Sequence, residues 1–234
     1  SVETISDAIA SYEMTLISGN SKFDQWFYGK DNKAISDDAK KGFEIFAGKG
    51  NCIACHAVNK DHALFIDNKF HNTGIGYVNS MGSENKNGKK RVQLSPGNYV
   101  DVDVEIISSV NQQKLENDLG LYRVTENPNH RWLFRTPTLR NITETAPYMH
   151  DGSLHTLEEV VDFYDNGGHQ NELLSPLIKK LNLTKKEKRQ LIDFMKTLTG
   201  ENLNLIVLDA ISTPVGDLSS KDPSWGNKKG MGYD

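Results

Sequence analysis

The whole chain holds two cysteines, and both fall in one pentapeptide, Cys52-Ile53-Ala54-Cys55-His56. A C-x-x-C-H run is the attachment signature of a c-type haem. Two thiols add across the porphyrin vinyl groups as thioethers. The two intervening residues let both sulfurs reach one porphyrin edge from a single helical turn. His56 then supplies an imidazole to the iron. A structural zinc site would want more soft ligands, and no second C-x-x-C is present. A thioredoxin-like dithiol would sit in a βαβ pattern, which this sequence lacks. The expectation is one covalent haem c held by Cys52, Cys55 and His56, with no sulfur left for a disulfide. Haem attachment takes place outside the bacterial cytoplasm, so the expected home is the periplasm.

A chain of 234 residues has room for one large domain or two small ones. Its 27 basic and 31 acidic residues leave a net charge of −4, which argues against a nucleic-acid partner. With 37% hydrophobic and 25% charged residues the composition is that of an ordinary globular protein. No apolar run approaches the roughly 18 residues a membrane span needs. The opening SVETISD is polar and carries no signal peptide, although a mature chain would have lost one.

Periodicity places the helices. Ile5, Ile9, Tyr12 and Leu16 predict an amphipathic helix over residues 2–18, followed by a loop from Ser21 to Lys33. Ser36, with Asp37 and Asp38 behind it, reads as the N-cap of a helix that buries Ala39, Phe43 and Phe46 and stops at Gly48-Lys49-Gly50. His71 to Pro96 reads as a long loop, residues 99–107 as a short strand, and 131–153 as irregular chain. Capping boxes at Thr156/Glu159 and Thr184/Glu187 open two further helices. Leu157, Val160, Val161 and Tyr164 form the buried stripe of the first, and Leu191, Met195 and Leu198 that of the second. From Glu201 the tail is expected to wrap the surface. The fold class that results is mainly α, a cytochrome c-like haem domain with long loops and at most a short β-hairpin.

The second axial ligand of the iron stays open at this level. Met14, Met81, Met149, Met195 and Met231 are the thioethers, and six histidines besides His56 are available. Met195 lies on the inward stripe of its helix, where Met commonly fills core. Met149, in irregular chain, is free to reach a haem.

Four segments are similar to a known family: KKGFEIFAGKGNCIACHAV, FHNTG, FRTPTLRNITETAPYMHDGSLHTLEEVVDFYDNGG and LTKKEKRQLIDFMKTLTG. In this order they resemble the C-terminal haem domain of the bacterial di-haem cytochrome c peroxidase and MauG family, over about residues 1–200. The resemblance implies a division into 1–34, the end of a preceding haem domain; 35–200, the C-terminal haem domain; and 201–234, the tail. It implies a second, peroxide-reacting haem on a domain or subunit absent from this chain, because only one C-x-x-C-H is present. The peroxidase branch carries a Met ligand just before the turn that ends the LEEVV helix, and the MauG branch a Tyr. This chain has Tyr164 there. The resemblance thus favours Tyr164 as ligand over Met149, although helical spacing also explains Tyr164 as core. A phenolate favours ferric and higher-valent iron, whereas a thioether favours ferrous iron.

The same resemblance implies a calcium ion on backbone carbonyls at Thr145 and Pro147, with an ordinary proline turn as the alternative. Arg135 and Arg140 are the candidates for the haem propionates, since Arg pairs with carboxylates through two parallel bonds; salt bridges to protein acids are the alternative. Trp26 and Trp132 are candidate electron relays or plain core. The basic run Lys185, Lys186, Lys188 and Arg189 is a solvated helix face or a docking surface for an acidic partner. The function implied is that of a haem oxidoreductase component that exchanges electrons with the peroxide-reacting haem. Its partners would be hydrogen peroxide and either a donor such as a cytochrome c or cupredoxin or a protein substrate. The rival is a mono-haem electron-transfer subunit with no catalytic site of its own.

Overall fold

A computed structural model describes residues 1–81, 89–95, 98–103, 106 and 118–212. In chain order the helices and strands are α1 (Val2–Glu13), α2 (Lys22–Phe27), α3 (Asp37–Ala47), β1 (Phe70–His71), α4 (Ile75–Met81), β2 (Lys89–Ser95), β3 (Asn98–Asp103), α5 (Tyr122–Thr125), β4 (Phe134–Arg135), α6 (Leu157–Asp165), α7 (Lys185–Met195) and α8 (Leu203–Ser212). Single 3-10 turns occur at Cys52–Ala54, Pro128–His130, Ile142–Glu144 and Lys196–Leu198. The chain divides into two units, Ser21–Thr199 and a smaller one made of Ser1–Asn20 with the chain from Gly200 onward. The fold is mainly helical, as its pattern predicts. Its strands make two small antiparallel pairs, β1 with β4 and β2 with β3.

In the larger unit α3 crosses α7 at close range because residue 42 is glycine. A Cβ there would stand 2.0 Å from the Gln190 carbonyl oxygen and 2.7 Å from Phe194 Cβ. Ser36 caps α3 by accepting the Ala39 N–H at 3.1 Å, and Thr184 caps α7 by accepting that of Glu187 at 3.2 Å. Around the crossing lies an aromatic core. Phe23, Phe46, Phe65 and Phe194 are all at most 1% exposed, and Phe46 and Phe194 centroids are 5.0 Å apart. Each such ring is worth up to about 3 kcal/mol of burial. The helix α6 lays Leu157 and Val161 onto the same core. Phe70 pairs with Arg135 and His71 with Phe134, which ties the FHNTG segment to the RTP segment.

Several elements differ from expectation. The chain from Ser21 to Lys33 is not all loop: Ser21 and Asp24 form a capping box that starts α2. An Asp in place of the usual Glu or Gln at the third position hid this signal. His71 to Pro96 contains α4 and β2, and β2 is a strand because β3 pairs with its backbone, Val92 opposite Val100. Of the expected strand at 99–107, β3 accounts for residues up to Asp103, and positions 104, 105 and 107 lie outside the described residues. In the smaller unit α1 ends at Glu13, short of Leu16, and buries none of its residues. The tail turns helical at α8, and positions 213–234 lie outside the described residues. No described helix is long and apolar enough to cross a membrane.

Candidate cofactor site

The helix α3 delivers the C-x-x-C-H segment. The Gly50 N–H returns to the Ile45 carbonyl at 2.7 Å, a path on which a Cβ would stand 2.9 Å from that oxygen and 3.3 Å from Cys52 Sγ. Asn51, at φ 50°, then opens the 3-10 turn, and the His56 N–H closes onto the Cys52 carbonyl at 2.9 Å. Both thiols are free. Burial pushes the Cys52 thiol up to about 12, and burial together with the Asp67 carboxylate raises that of Cys55. Neither is a thiolate at neutral pH, so the pair is not a nucleophilic or redox dithiol of the low-pKa kind.

The His56 imidazole is held from behind. Its Nδ1–H donates to the Phe65 carbonyl at 2.8 Å. A carbonyl only accepts, so the proton sits on Nδ1 and Nε2 keeps its lone pair for a metal. Burial also lowers the His56 pKa and keeps the ring neutral. Phe65 makes this contact from φ 54°, in the left-handed region that a bulky residue rarely adopts. The strain, of order 1–3 kcal/mol, is held by packing: Phe65 is fully buried against Phe23, 5.2 Å away, and Phe46, 6.0 Å away.

Cys52, Cys55 and His56 line a cavity of about 400 Å³. Its far walls come from α6 and α7, through Leu157, Val160, Val161, Tyr164, Leu191 and Met195, and from the Thr136–His150 segment. Tyr164 and Met149 both reach this cavity, and so does Met195, which is 7% exposed. Met149 sits at φ 68°. Met14 and Met81 point to solvent at 76% and 61% exposure, and Met231 lies outside the described residues. Burial pushes the Tyr164 phenol well up, with Cys52 and Cys55 adding in the same direction. A phenol so shielded keeps its proton unless a metal cation sits against it.

The arginines separate. Arg135 lines the cavity, exposed, with one Nη donating to Asn68 Oδ1 at 2.8 Å. Arg140 does not line it: its guanidinium grips both oxygens of Asp24 at 2.7 Å, the Ser21 Oγ at 3.1 Å and the Ala63 carbonyl at 2.8 Å. The protein-acid alternative therefore describes Arg140, whose donors are spent on α2 and the loop before Phe65. Thr145 and Pro147 line the cavity too. Trp26 packs edge-on into the aromatic core beside Phe43 at 5.4 Å, and Trp132 packs on Tyr77 at 4.9 Å. Neither borders the cavity. Lys188 of the basic run bridges Asp162 and Asp165 at 2.7 and 2.6 Å, so this part of the run is internally paired.

Three residues without an assigned role in the sequence also belong here. His71 lines the cavity, and its Nε2 lies 2.7 Å from Asp67 Oδ2; the two side chains are 16% and 9% exposed. Burial opposes the Asp67 charge, but hydrogen bonds from His71, the Lys69 backbone and Thr136 hold its carboxyl down to about 2. His71 stands in the FHNTG motif, which was the one available signal; Asp67 has none. His150 lines the cavity as well, stacked on Phe134 at 3.6 Å and bonded to Asp118 at 2.5 Å.

A largely aliphatic chamber with two neutral thiols, a pre-set imidazole lone pair and an arginine at its rim fits a c-type haem domain: the donor set and the apolar walls suit a large planar metal-centred group with a charged edge. The comparisons agree. No protein-family model matches the chain. It is 38% identical to the cytochrome-c peroxidase IdrP2 of Denitromonas iodatirespirans over 85% of this chain and 49% of that protein. It is 32% identical to the methylamine utilization protein MauG of Methylorubrum extorquens, over 84% of this chain and 44% of that protein. A crystal structure of a MauG-like protein associated with microbial copper homeostasis superposes with a TM-score of 0.62 at 31% identity, covering 92% of this chain and 57% of the other. The di-haem peroxidase BthA of Burkholderia thailandensis shares the fold, with a TM-score of 0.50 at 17% identity. Over most of its length the chain is thus similar to bacterial cytochrome-c peroxidases and MauG proteins, and it spans about half the length of the curated relatives it matches.

Proposed function

We propose that this chain is the electron-handling haem domain of a di-haem peroxidase or MauG-type oxidoreductase. One observation carries the reading: Cys52, Cys55, the lone pair of His56 and the phenol of Tyr164 converge on one apolar cavity. Cys52 and Cys55 would hold haem c as thioethers, and its iron would be held by His56 Nε2 and Tyr164, with Met149 the alternative to Tyr164. The bound haem would supply one-electron redox chemistry. The residues of this chain orient and insulate it. Phe65 fixes the imidazole plane and tautomer. Leu157, Val161 and Leu191 exclude water, and Arg135 stands at the rim to meet a carboxylate of the cofactor. As a ligand the Tyr164 phenol would be held as phenolate, a donor that favours the more oxidised iron.

In this reading hydrogen peroxide reacts at a second haem on another domain or subunit. The electrons come from a small donor protein such as a cytochrome c or cupredoxin, or from a protein side chain that is oxidised. A calcium ion on the Thr145 and Pro147 carbonyls, completed from the second domain, and a periplasmic location belong to the same reading. The single C-x-x-C-H favours one rival, a mono-haem electron-transfer subunit.

Haem staining and intact mass of the chain matured in a periplasm test the attachment, with one covalent haem expected. A Tyr164→Phe variant is expected to lose the ferric spectrum of a phenolate ligand. An unchanged ferric spectrum would remove Tyr164, and a Met signature in the wild type would install Met149. A peroxide response only in the presence of a second haem-bearing polypeptide supports the enzyme, and none with every co-purifying partner present supports the rival.

A further inference from the structure

We propose that Asp67, oriented by His71, is the buried anion that sets the oxidation balance of the cofactor held at Cys55 and His56. The inference rests on the haem reading of that segment and adds a residue to which no role has yet been given.

The geometry is specific. The ligand atoms of Cys55, Asp67 and His71 all lie within 4.8 Å of one another. Among the described residues this is the one such trio of His, Cys, Asp or Glu groups. Asp67 does not itself line the cavity, but His71 and Cys55 do, so a group attached at Cys55 would lie near its charge. The carboxylate is 9% exposed and takes hydrogen bonds from His71 Nε2 at 2.7 Å and the Lys69 N–H at 2.9 Å. The Lys69 N–H holds the anion in place without a charge of its own, and His71 Nε2 orients it. Its field acts at the Cys55 sulfur, within 4.8 Å.

His71 opposes this field at His56, and the other charges nearby are exposed. Lys69 acts on Cys55 in the opposite sense, but it is exposed, and water screens it. Arg135 and Lys179 reach the cavity from the exposed rim. Ser175 Oγ, 3.5 Å from His71 Nδ1, is neutral. A fixed anion stabilises ferric iron, which carries one more positive charge than ferrous iron. The step concerned is the gain of one electron from a small-molecule mediator, with no bond made or broken at Asp67. A unit charge within about a porphyrin's width, at an effective dielectric near 20, shifts such an equilibrium on the order of tenfold.

The experiment is a potentiometric titration of the full chain with its haem attached. In Asp67→Asn the ferrous-to-ferric ratio at a fixed solution potential is expected to rise about tenfold, which is 59 mV for a one-electron couple. His71→Lys, which sets a permanent ammonium beside an intact Asp67, is expected to move the ratio the same way. His71→Gln keeps an N–H donor with no charge and is expected to move it no further toward ferrous iron. A ratio within twofold of wild type in both Asp67→Asn and His71→Lys overturns the proposal. So does an equal shift toward ferrous iron in Asp67→Asn and His71→Gln, the mark of loosened packing alone. If Asp67→Asn fails to load haem, His71→Lys against His71→Gln decides. Haem stain separates the two levels: covalent haem with unshifted ratios removes Asp67, and no covalent haem in the wild type removes the haem reading as well.

Discussion

Arg140→Ala should be among the most damaging single changes available outside the cavity. The side chain makes two bonds to Asp24, one to Ser21 and one to the Ala63 carbonyl, and its guanidinium carbon lies 5.3 Å over the Phe65 ring. Its pair with Asp24 is 11% and 16% exposed on the two sides. Truncation leaves a mostly buried carboxylate without its cation, which costs about 3–5 kcal/mol. For a domain of this size each kcal/mol is worth roughly 2–4 °C, so a loss of roughly 6–20 °C in Tm is expected by calorimetry at pH 7. The acid limb gives the sign. Burial opposes the Asp24 charge, but Arg140 and Ser21 outweigh it and hold its carboxyl below the ordinary value of 3.8. The stabilisation is therefore fully present above that value and is lost as pH falls through the lower folded one. The gap between wild type and variant should narrow below about pH 4. A double-mutant cycle with Asp24→Asn should return a coupling of at least about 1 kcal/mol. A Tm loss under about 2 °C at neutral pH, or a gap that stays constant into acid, would refute the reasoning.

Two more substitutions probe the scaffold. Gly42→Ala puts a methyl 2.0 Å from the Gln190 carbonyl, so α3 and α7 must part. A loss of about 3 kcal/mol or more in urea unfolding is expected, and a neutral result would mean the crossing is looser than described. Thr184→Ala removes the N-cap of α7 and should cost about 1 kcal/mol, with Thr184→Asp close to wild type. Equal losses in both variants would point away from capping.

What the sequence disclosed and what it concealed follow from the range of the forces involved. α3, α6 and α7 were legible because their signals are local: Ser36, Thr156 and Thr184 cap within three residues, and the apolar stripes repeat along one helix. The strand β2 was illegible because its neighbour β3, rather than its own residues, makes it one. The α1 stripe predicts a buried face, yet Ile5 and Ile9 stand 63% and 54% exposed among the described residues. At the site, C-x-x-C-H announced itself through chemistry that needs neighbouring residues. The Phe65 carbonyl, the Asp67 carboxylate and the commitment of Arg140 to Asp24 depend on chain folded back from elsewhere, and no spacing encodes them. Phe65 in particular is a residue type that argues against the backbone conformation it adopts.

That conformation bears on how firmly a metal would be held at His56. An imidazole anchored through Nδ1 to the carbonyl of Phe65, whose ring packs against Phe23 and Phe46, has little freedom to tilt or recede. When the charge on a metal changes, the nuclei around it must shift before an electron can cross, and a ligand held this firmly leaves few nuclei to shift. The one awkward peptide thus lowers the reorganisation that a metal held at His56 would require.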